Sequence, residues 1–244
     1  MKENASSTAK AATRAPAAIP ATESEGLPHP TISEQAYARI RADIIFGRLR
    51  PTQKLKLEKL RDKYGASVST LREILNRLSS EDLVIAEGQR GFEVAPVSVG
   101  NLKETADLRL LLEAHAMVQS FEAGDVEWEG RVVASHYKLA TLERRMKDGD
   151  LTQTETWKRY DWEFHQALIS ACGSKVLMDT HAAVFDKYLR YQMIALSFRG
   201  DVAAQEHEKL LTCALERDAA TARRILEAHV SGGVSHALAT GTIK

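Results

Sequence analysis

Apolar residues recur at spacings of three and four from the start of the patterned part of the chain. Ala36, Tyr37, Ile40, Ile44 and Ile45 mark the buried stripe of a first helix, which Ser33 can cap and Gly47 can stop. Leu55, Leu57 and Leu60 lead into a second, shorter helix ending near Tyr64 and Gly65. After the break Gly65-Ala66-Ser67, the residues Leu71, Leu75 and Leu78 predict a third helix. The pattern then changes. Leu83-Val84-Ile85-Ala86 and Phe92-Glu93-Val94 are short extended runs on either side of the Gly-containing segment 87–91, which predicts a β-hairpin.

Pro96 interrupts the pattern, and residues 96–99 are expected to link two domains. Beyond them the periodicity is helical to the end. Leu108, Leu111, Leu112 and Val118 belong to one helix. Trp128, Val132, Leu139, Leu142 and Met146 belong to a second, capped by Asp125. Trp157, Phe164 and Leu168 mark a third, closed by Gly173, and Ser174 can cap a fourth running past Leu189 and Ile194. Two more follow, divided near Arg217 and Asp218. The expected fold class is mainly α: an N-terminal winged helix-turn-helix over 31–95 and a C-terminal all-α antiparallel helical bundle over 100–240.

Residues 1–30 carry Pro16, Pro20, Pro28 and Pro30 among Ala, Thr and Ser, with few large apolar groups, so a disordered tail is expected there. The zero net charge of the 244-residue chain hides an asymmetry. Residues 31–97 hold twelve Lys/Arg against nine Asp/Glu, whereas residues 98–244 hold eighteen against twenty-one. A basic front and an acidic back fit a nucleic-acid module joined to a domain with another task. Cys172 and Cys213 are the only cysteines, which argues against a disulfide framework or a thiolate zinc site. No run approaches the roughly 20 apolar residues of a membrane span. A cytoplasmic protein without a membrane partner is expected.

Two helices joined at Gly65 and followed by a hairpin have the layout in which the second helix enters the major groove of double-stranded DNA. That helix opens Ser67-Val68-Ser69-Thr70-Leu71-Arg72. With Leu71 turned inward, Ser67, Ser69, Thr70 and Arg72 can face outward, and Arg72 can grip a guanine edge or a phosphate with two donors. At these residues the chain resembles the GntR family of bacterial regulators, whose recognition helix typically reads VSRTPVREAL where residues 66–75 read ASVSTLREIL. The likeness extends to a wing of the form GxRGFxV at residues 88–94. It implies that Gln89, Arg90 and Gly91 reach the minor groove of an operator. Val68 and Glu58 stand where members of the family carry arginines, which leaves the operator sequence open.

Asp161 and His165 lie four apart on one helix face, and His207 and His229 fall on two later helices. Three imidazoles and a carboxylate suit a first-row divalent ion, although most of the eight histidines in such a chain are expected on the surface or hydrogen-bonded in the core. The run Asp161-Trp162-Glu163-Phe164-His165, the later His207 and His229, and the opening Asp107-Leu108-Arg109-Leu110-Leu111-Leu112-Glu113 resemble the FadR subfamily of GntR regulators, with its all-helical FCD effector domain. The resemblance implies a divalent metal, zinc first, with nickel or manganese as alternatives, held by Asp161, His165, His207 and His229 beneath an effector pocket. His115, His136, His181 and His236 fall outside the motif and are read as structural or exposed. Arg109 can pair with an effector carboxylate, or equally with Glu113 or Asp107 on its own helix. Arg159, Arg190 and Tyr191 are further effector candidates.

The expected function is a homodimeric transcription regulator, a repressor, whose operator binding is controlled by a small carboxylate. Residues 124–129 and 171–174 resemble the branch tied to dicarboxylate and amino-acid catabolism, so a five-carbon dicarboxylate such as glutarate or 2-hydroxyglutarate is expected. The alternative is a metal-dependent hydrolase or isomerase. Glu163, the nearest spare carboxylate in sequence, projects about 180° from the Asp161–His165 midline, on the opposite helix face, which places no general base beside the ion. An architectural DNA binder without an effector would leave the Asp/His motif unused.

Overall fold

The computed structural model describes residues 31–88, 91–195 and 198–243; the tail expected over 1–30 and the wing tip at Gln89 and Arg90 lie outside them. The N-terminal part contains α1 (Ile32–Ile45), β1 (Lys54–Leu55), α2 (Leu57–Tyr64), α3 (Val68–Ser80), β2 (Val84–Ala86) and β3 (Phe92–Val94). The C-terminal part contains α4 (Val99–Ala123), α5 (Val126–Lys147), α6 (Thr154–Ile169), α7 (Lys175–Ile194), α8 (Asp201–Glu216) and α9 (Ala219–Ala239). Among the described residues, no helix is long and apolar enough to cross a membrane.

Local chemistry accounts for the element ends. The cap of α1 is Thr31, not Ser33: its side chain accepts from Glu34 N–H while the Glu34 carboxylate accepts from Thr31 N–H. Gly65 ends α2 in the left-handed conformation, with φ 71°. Ser67 caps α3, Asp125 caps α5 and Ser174 caps α7. The hairpin gains a third strand the periodicity does not reveal, in the order β1-β3-β2, all antiparallel. Lys54 lies opposite Glu93 and forms an ion pair with it at 2.7 Å.

Ile40, Ile44, Leu71, Leu75, Leu78 and Val94 fill the N-terminal core. The larger C-terminal core is built on Trp128, Leu139, Phe164, Leu168, Leu210 and Leu226. In α4 the expected stripe is inverted. Leu108, Leu111 and Val118 are exposed, Leu111 by 67%, while Leu102, Ala106, Met117 and Phe121 are buried together with Thr105, Arg109, Glu113 and Ser120, against α6, α7 and α9. The two parts meet where Ile45 and Phe46 pack on Phe185, Leu189 and Met193 of α7. Arg41 of α1 bridges Glu81 at 2.9 Å and Asp186 of α7 at 2.7 Å.

Asp43 is the one buried acid of the N-terminal core among the described residues. It accepts from Tyr64 Oη, Lys63 Nζ and Arg48 Nε, each at 2.6 Å. Burial pushes its carboxyl up, but the Lys63, Tyr64 and Arg48 bonds outweigh this and hold it below the usual value. Its contribution to stability is therefore present above the ordinary carboxylate pKa and is lost as pH falls through the lowered one. Asp43→Asn is expected to cost about 1.5–3 kcal/mol of unfolding free energy at neutral pH. Chemical denaturation should show the gap to wild type closing only below about pH 4. A gap constant down to pH 2 would exclude an ionised Asp43 as its source.

Candidate DNA-reading and metal–effector sites

The start of α3 is exposed at Ser67, Val68, Ser69 and Arg72, with Thr70 half-buried. Ser67 Oγ accepts from Thr70 N–H at 3.2 Å and contacts Ser69 Oγ at 2.8 Å, so this hydroxyl serves as the cap. The N–H groups of Val68 and Ser69, at the first positions of the helix, have no carbonyl partner within it, so a phosphate can take them up. Arg72 makes no ion pair among the described residues. Gly91, in the hairpin beside the wing tip, has φ 94°, and its carbonyl accepts from Glu87 N–H at 2.9 Å.

In the helical domain the folding of α6, α8 and α9 around Phe164 brings Asp161, His165, His207 and His229 together. One ligand atom from each can be chosen so that all four lie within 4.8 Å of one another, and all four residues are buried. Three hydrogen bonds set the imidazoles. His165 Nδ1 donates to Glu113, His207 Nδ1 lies 2.7 Å from Glu143 Oε1, and His229 Nδ1 lies 2.8 Å from Glu206 Oε2. The Nε2 atoms of His165 and His207 are buried without a hydrogen-bond partner. His207 Nε2 is 3.2 Å from Asp161 Oδ1, close enough for an ion pair but not aligned for a hydrogen bond. Orphaned nitrogens beside a buried carboxylate are the donor set of a divalent-ion site, so the residues present fit the metal that the motif implies.

The electrostatics follow from burial and pairing. Burial pushes the Asp161 carboxyl up, but Lys158, His207 and His165 hold it well below the usual range. His207, between Asp161 and Glu143, overcomes its own burial and is pushed up to about 9. A cation coordinating Nε2 takes the place of that proton. His165 and His229 are lowered, chiefly by burial.

Arg109 takes the same-helix partner that the sequence offered, Glu113. Its Nε donates to Glu113 Oε2 at 2.9 Å, yet its Nη2 is buried without a partner and its guanidinium lies over Phe185 at 4.2 Å. It lines a small cavity with Lys158, Tyr188, Gln192 and Arg199 beside Asp161, His207 and His229. That cavity measures about 20 Å³, room for little more than one water.

The other effector candidates sit elsewhere. Arg159 is exposed and lines a larger cavity of about 820 Å³ between α1 and the α6–α7 pair. Arg190 donates to the Ala95 carbonyl at the head of the linker, and Tyr191 donates to Asn101 at 2.7 Å. These two fasten the linker and α4 to α7. His181 is buried, donating to Glu113 at 3.0 Å, and His136 meets Phe164 edge-on.

Sequence reasoning missed Glu143, Lys158, Arg199, Glu206, Tyr188 and Gln192. It also missed Gly232 and Gly233, whose position inside α9 was the available signal. A side chain at Gly233 would overlap Tyr188 Oη, and one at Gly232 would overlap the Arg199 guanidinium.

Residues 32–94 match the family model described as bacterial regulatory proteins, gntR family, and residues 104–232 match the FCD domain. The chain is 34% identical over 207 residues to an uncharacterised HTH-type transcriptional regulator, BphR, of Paraburkholderia xenovorans, covering 84% of each. This chain belongs to the GntR family of regulators. Within it, the HTH-type transcriptional repressor GlaR of Escherichia coli is 32% identical over 206 residues, covering 81% of this chain and 92% of the relative. The solved structure of E. coli McbR/YncC superposes with a TM-score of 0.71 at 18% identity, covering 87% of this chain and all of that one, which shows the shared fold. As a GntR regulator with an FCD domain, the chain is a DNA-binding transcription regulator and not an enzyme.

Glycine in a helix costs about 1 kcal/mol relative to alanine, so Gly233→Ala would stabilise α9 if space allowed. With Tyr188 in the way, the variant is expected to lose about 1–3 kcal/mol instead. A thermal melt checks the sign, and a raised melting temperature would remove the close α7–α9 approach as a constraint on this site.

Proposed function

We propose that this GntR regulator is a cytoplasmic repressor that releases its operator when a small carboxylate binds beside a divalent metal held by Asp161, His165, His207 and His229. The observation that carries this reading is the set of buried, unpartnered atoms converging there: Nε2 of His165, Nε2 of His207 and Nη2 of Arg109. When bound, the ion would supply a Lewis-acidic centre whose open coordination takes up a ligand oxygen. Zinc suits three imidazoles and a carboxylate, with nickel or manganese as alternatives. Arg109, with Lys158 and Arg199, would take the ligand's charge. The resemblance makes a five-carbon dicarboxylate such as glutarate or 2-hydroxyglutarate the first candidate. The cavity must open to admit it, which gives the ligand a means to distinguish two arrangements of the domain.

On the DNA side, Ser67, Ser69, Thr70, Arg72 and the wing residues Gln89, Arg90 and Gly91 are the proposed operator contacts. One recognition helix covers a half-site, so a symmetric homodimer is required. Its interface is proposed on the exposed face of α4, where Leu108, Leu111 and Val118 line up opposite Arg109 and Glu113. Leu111→Glu should yield monomers by light scattering at micromolar concentration, whereas Tyr137→Glu, on the exposed face of α5, should not. A dimeric Leu111→Glu protein would move the interface off α4.

Separating the two halves of the mechanism tests the rest. Arg72→Ala is expected to cost about 1–3 kcal/mol of specific operator binding if the guanidinium reads a base. His207→Ala should retain operator affinity but lose metal and the response to glutarate in gel-shift titrations. Protein that carries no metal after purification without a histidine tag, yet still answers glutarate normally, would refute the metal-coupled reading.

A further inference from the structure

Glu113 is fully buried, and its hydrogen-bond partners among the described residues are all donors. One oxygen, Oε1, accepts from His165 Nδ1. The other, Oε2, accepts from Arg109 Nε at 2.9 Å and from His181 Nε2 at 3.0 Å. The His181 tautomer is fixed independently, because Gln166 Nε2 donates to its Nδ1 at 2.7 Å and leaves the ring proton on Nε2. Every partner therefore offers a proton to a carboxylate that can only accept. For His165 the consequence is a ring with its proton on Nδ1 and a bare Nε2 lone pair, which is the orphaned atom beside Asp161.

Glu143 holds His207 in the same way at 2.7 Å, but makes no ion pair with an arginine among the described residues. Glu206 contacts both His229, at 2.8 Å, and Arg199, at 2.6 Å; there Arg199 Nη2 also reaches His229 Nδ1 at 3.0 Å, so donor and acceptor compete for one nitrogen. Glu206 also accepts from Arg199 on Oε1, at 3.5 Å, but its Oε2 is shared by Arg199 and His229, whereas at Glu113 the imidazole of His165 and the guanidinium of Arg109 take separate oxygens.

We propose that Glu113 is a positioning residue that couples the two halves of the sensing site, setting the His165 tautomer for the ion and the Arg109 guanidinium for the ligand carboxylate. This rests on the metal–carboxylate reading above. Because one buried group restrains both partners, ordering His165 by a cation also orders Arg109, and each ligand should tighten the other by the same factor.

The test uses the full-length protein and has three readouts. Nitrogen NMR of the histidine rings, recorded after chelator treatment, should show His165 in wild type with its proton on Nδ1; a proton on Nε2 would overturn the proposal even if Glu113→Gln fails to fold. Zinc affinity by chelator competition should fall about 10–100-fold in Glu113→Gln and in Glu143→Gln. At saturating zinc, glutarate binding should be weakened at least tenfold in Glu113→Gln and not weakened in Glu143→Gln. Equal glutarate affinity in the two variants would also overturn the coupling role. If wild type shows the Nδ1 tautomer but binds neither zinc nor glutarate, the metal–carboxylate reading falls and the coupling falls with it, while the orientation of His165 by Glu113 stands.

Discussion

The arrangement depends on one constraint: a helical domain that buries charge has to pair every charge it buries. Arg109, Glu113, Glu143, Lys158 and Asp161 are all out of solvent, together with His165, His181, His207 and His229. An isolated ion in such surroundings would cost several kcal/mol, and removing one partner of a buried pair typically costs about 3–5 kcal/mol. The Arg109–Glu113 pair anchors the set, since both residues come from α4 at a helical spacing of four and need no tertiary contact to find each other. Apolar residues of the same volume would fold as well or better. That α4 buries Arg109 and Glu113 beside Ala106, Met117 and Phe121 is thus a sign of function rather than of stability.

α7 is the element through which that centre can reach the DNA-binding part. His181, Phe185, Tyr188 and Gln192 face the buried charges, while Asp186 takes Arg41 of α1 and Leu189 and Met193 pack on Ile45 and Phe46. Arg190 of the same helix holds Ala95, where the last strand leaves the winged helix. A ligand that displaces Tyr188 or Gln192 therefore acts on a rigid rod whose neighbouring face carries the docked domain. Coupling free energies between such sites are typically about 1–3 kcal/mol, the size of a few ion pairs and apolar contacts and within the reach of this junction.

How far the sequence spoke for itself depended on whether the relevant signal was local. Gly65 and Ser67 mark the helix-turn-helix because left-handed backbone and a capping hydroxyl are properties of single residues. Thr31 was equally readable: with Glu34 three residues on it forms a capping box, which Ser33 cannot. β1, two residues long, exists only because Lys54 and Leu55 lie against Glu93 and Phe92, so nothing local announces it. In α4 the periodicity was present but pointed outward, since an apolar stripe says which residues share a face and not which way the face turns. Asp161 and His165 share a helix turn and could be paired on spacing. Glu113 and Glu143 lie 52 and 64 residues from the imidazoles they hold, and no pattern links them before the chain folds.

Under the proposed mechanism, charge balance would account for a metal and a carboxylate sharing one site. Asp161, Glu113, Glu143 and Glu206 face Arg109, Lys158 and Arg199, which leaves the cluster one positive charge short. The proton on His207, held by Asp161 and Glu143, makes up the difference. A carboxylate entering that balanced cluster would bring an uncompensated negative charge into a buried space, which is unfavourable. A divalent ion that takes the place of the His207 proton leaves the cluster with one positive charge in excess, enough to accept one carboxylate. The second carboxylate of a dicarboxylate then has no buried charge left to meet and must reach solvent or a cation beyond the cluster. The same accounting that would make the ion necessary for an anionic ligand would therefore favour, for the proposed dicarboxylate, a shape with one carboxylate inside and the other at the mouth.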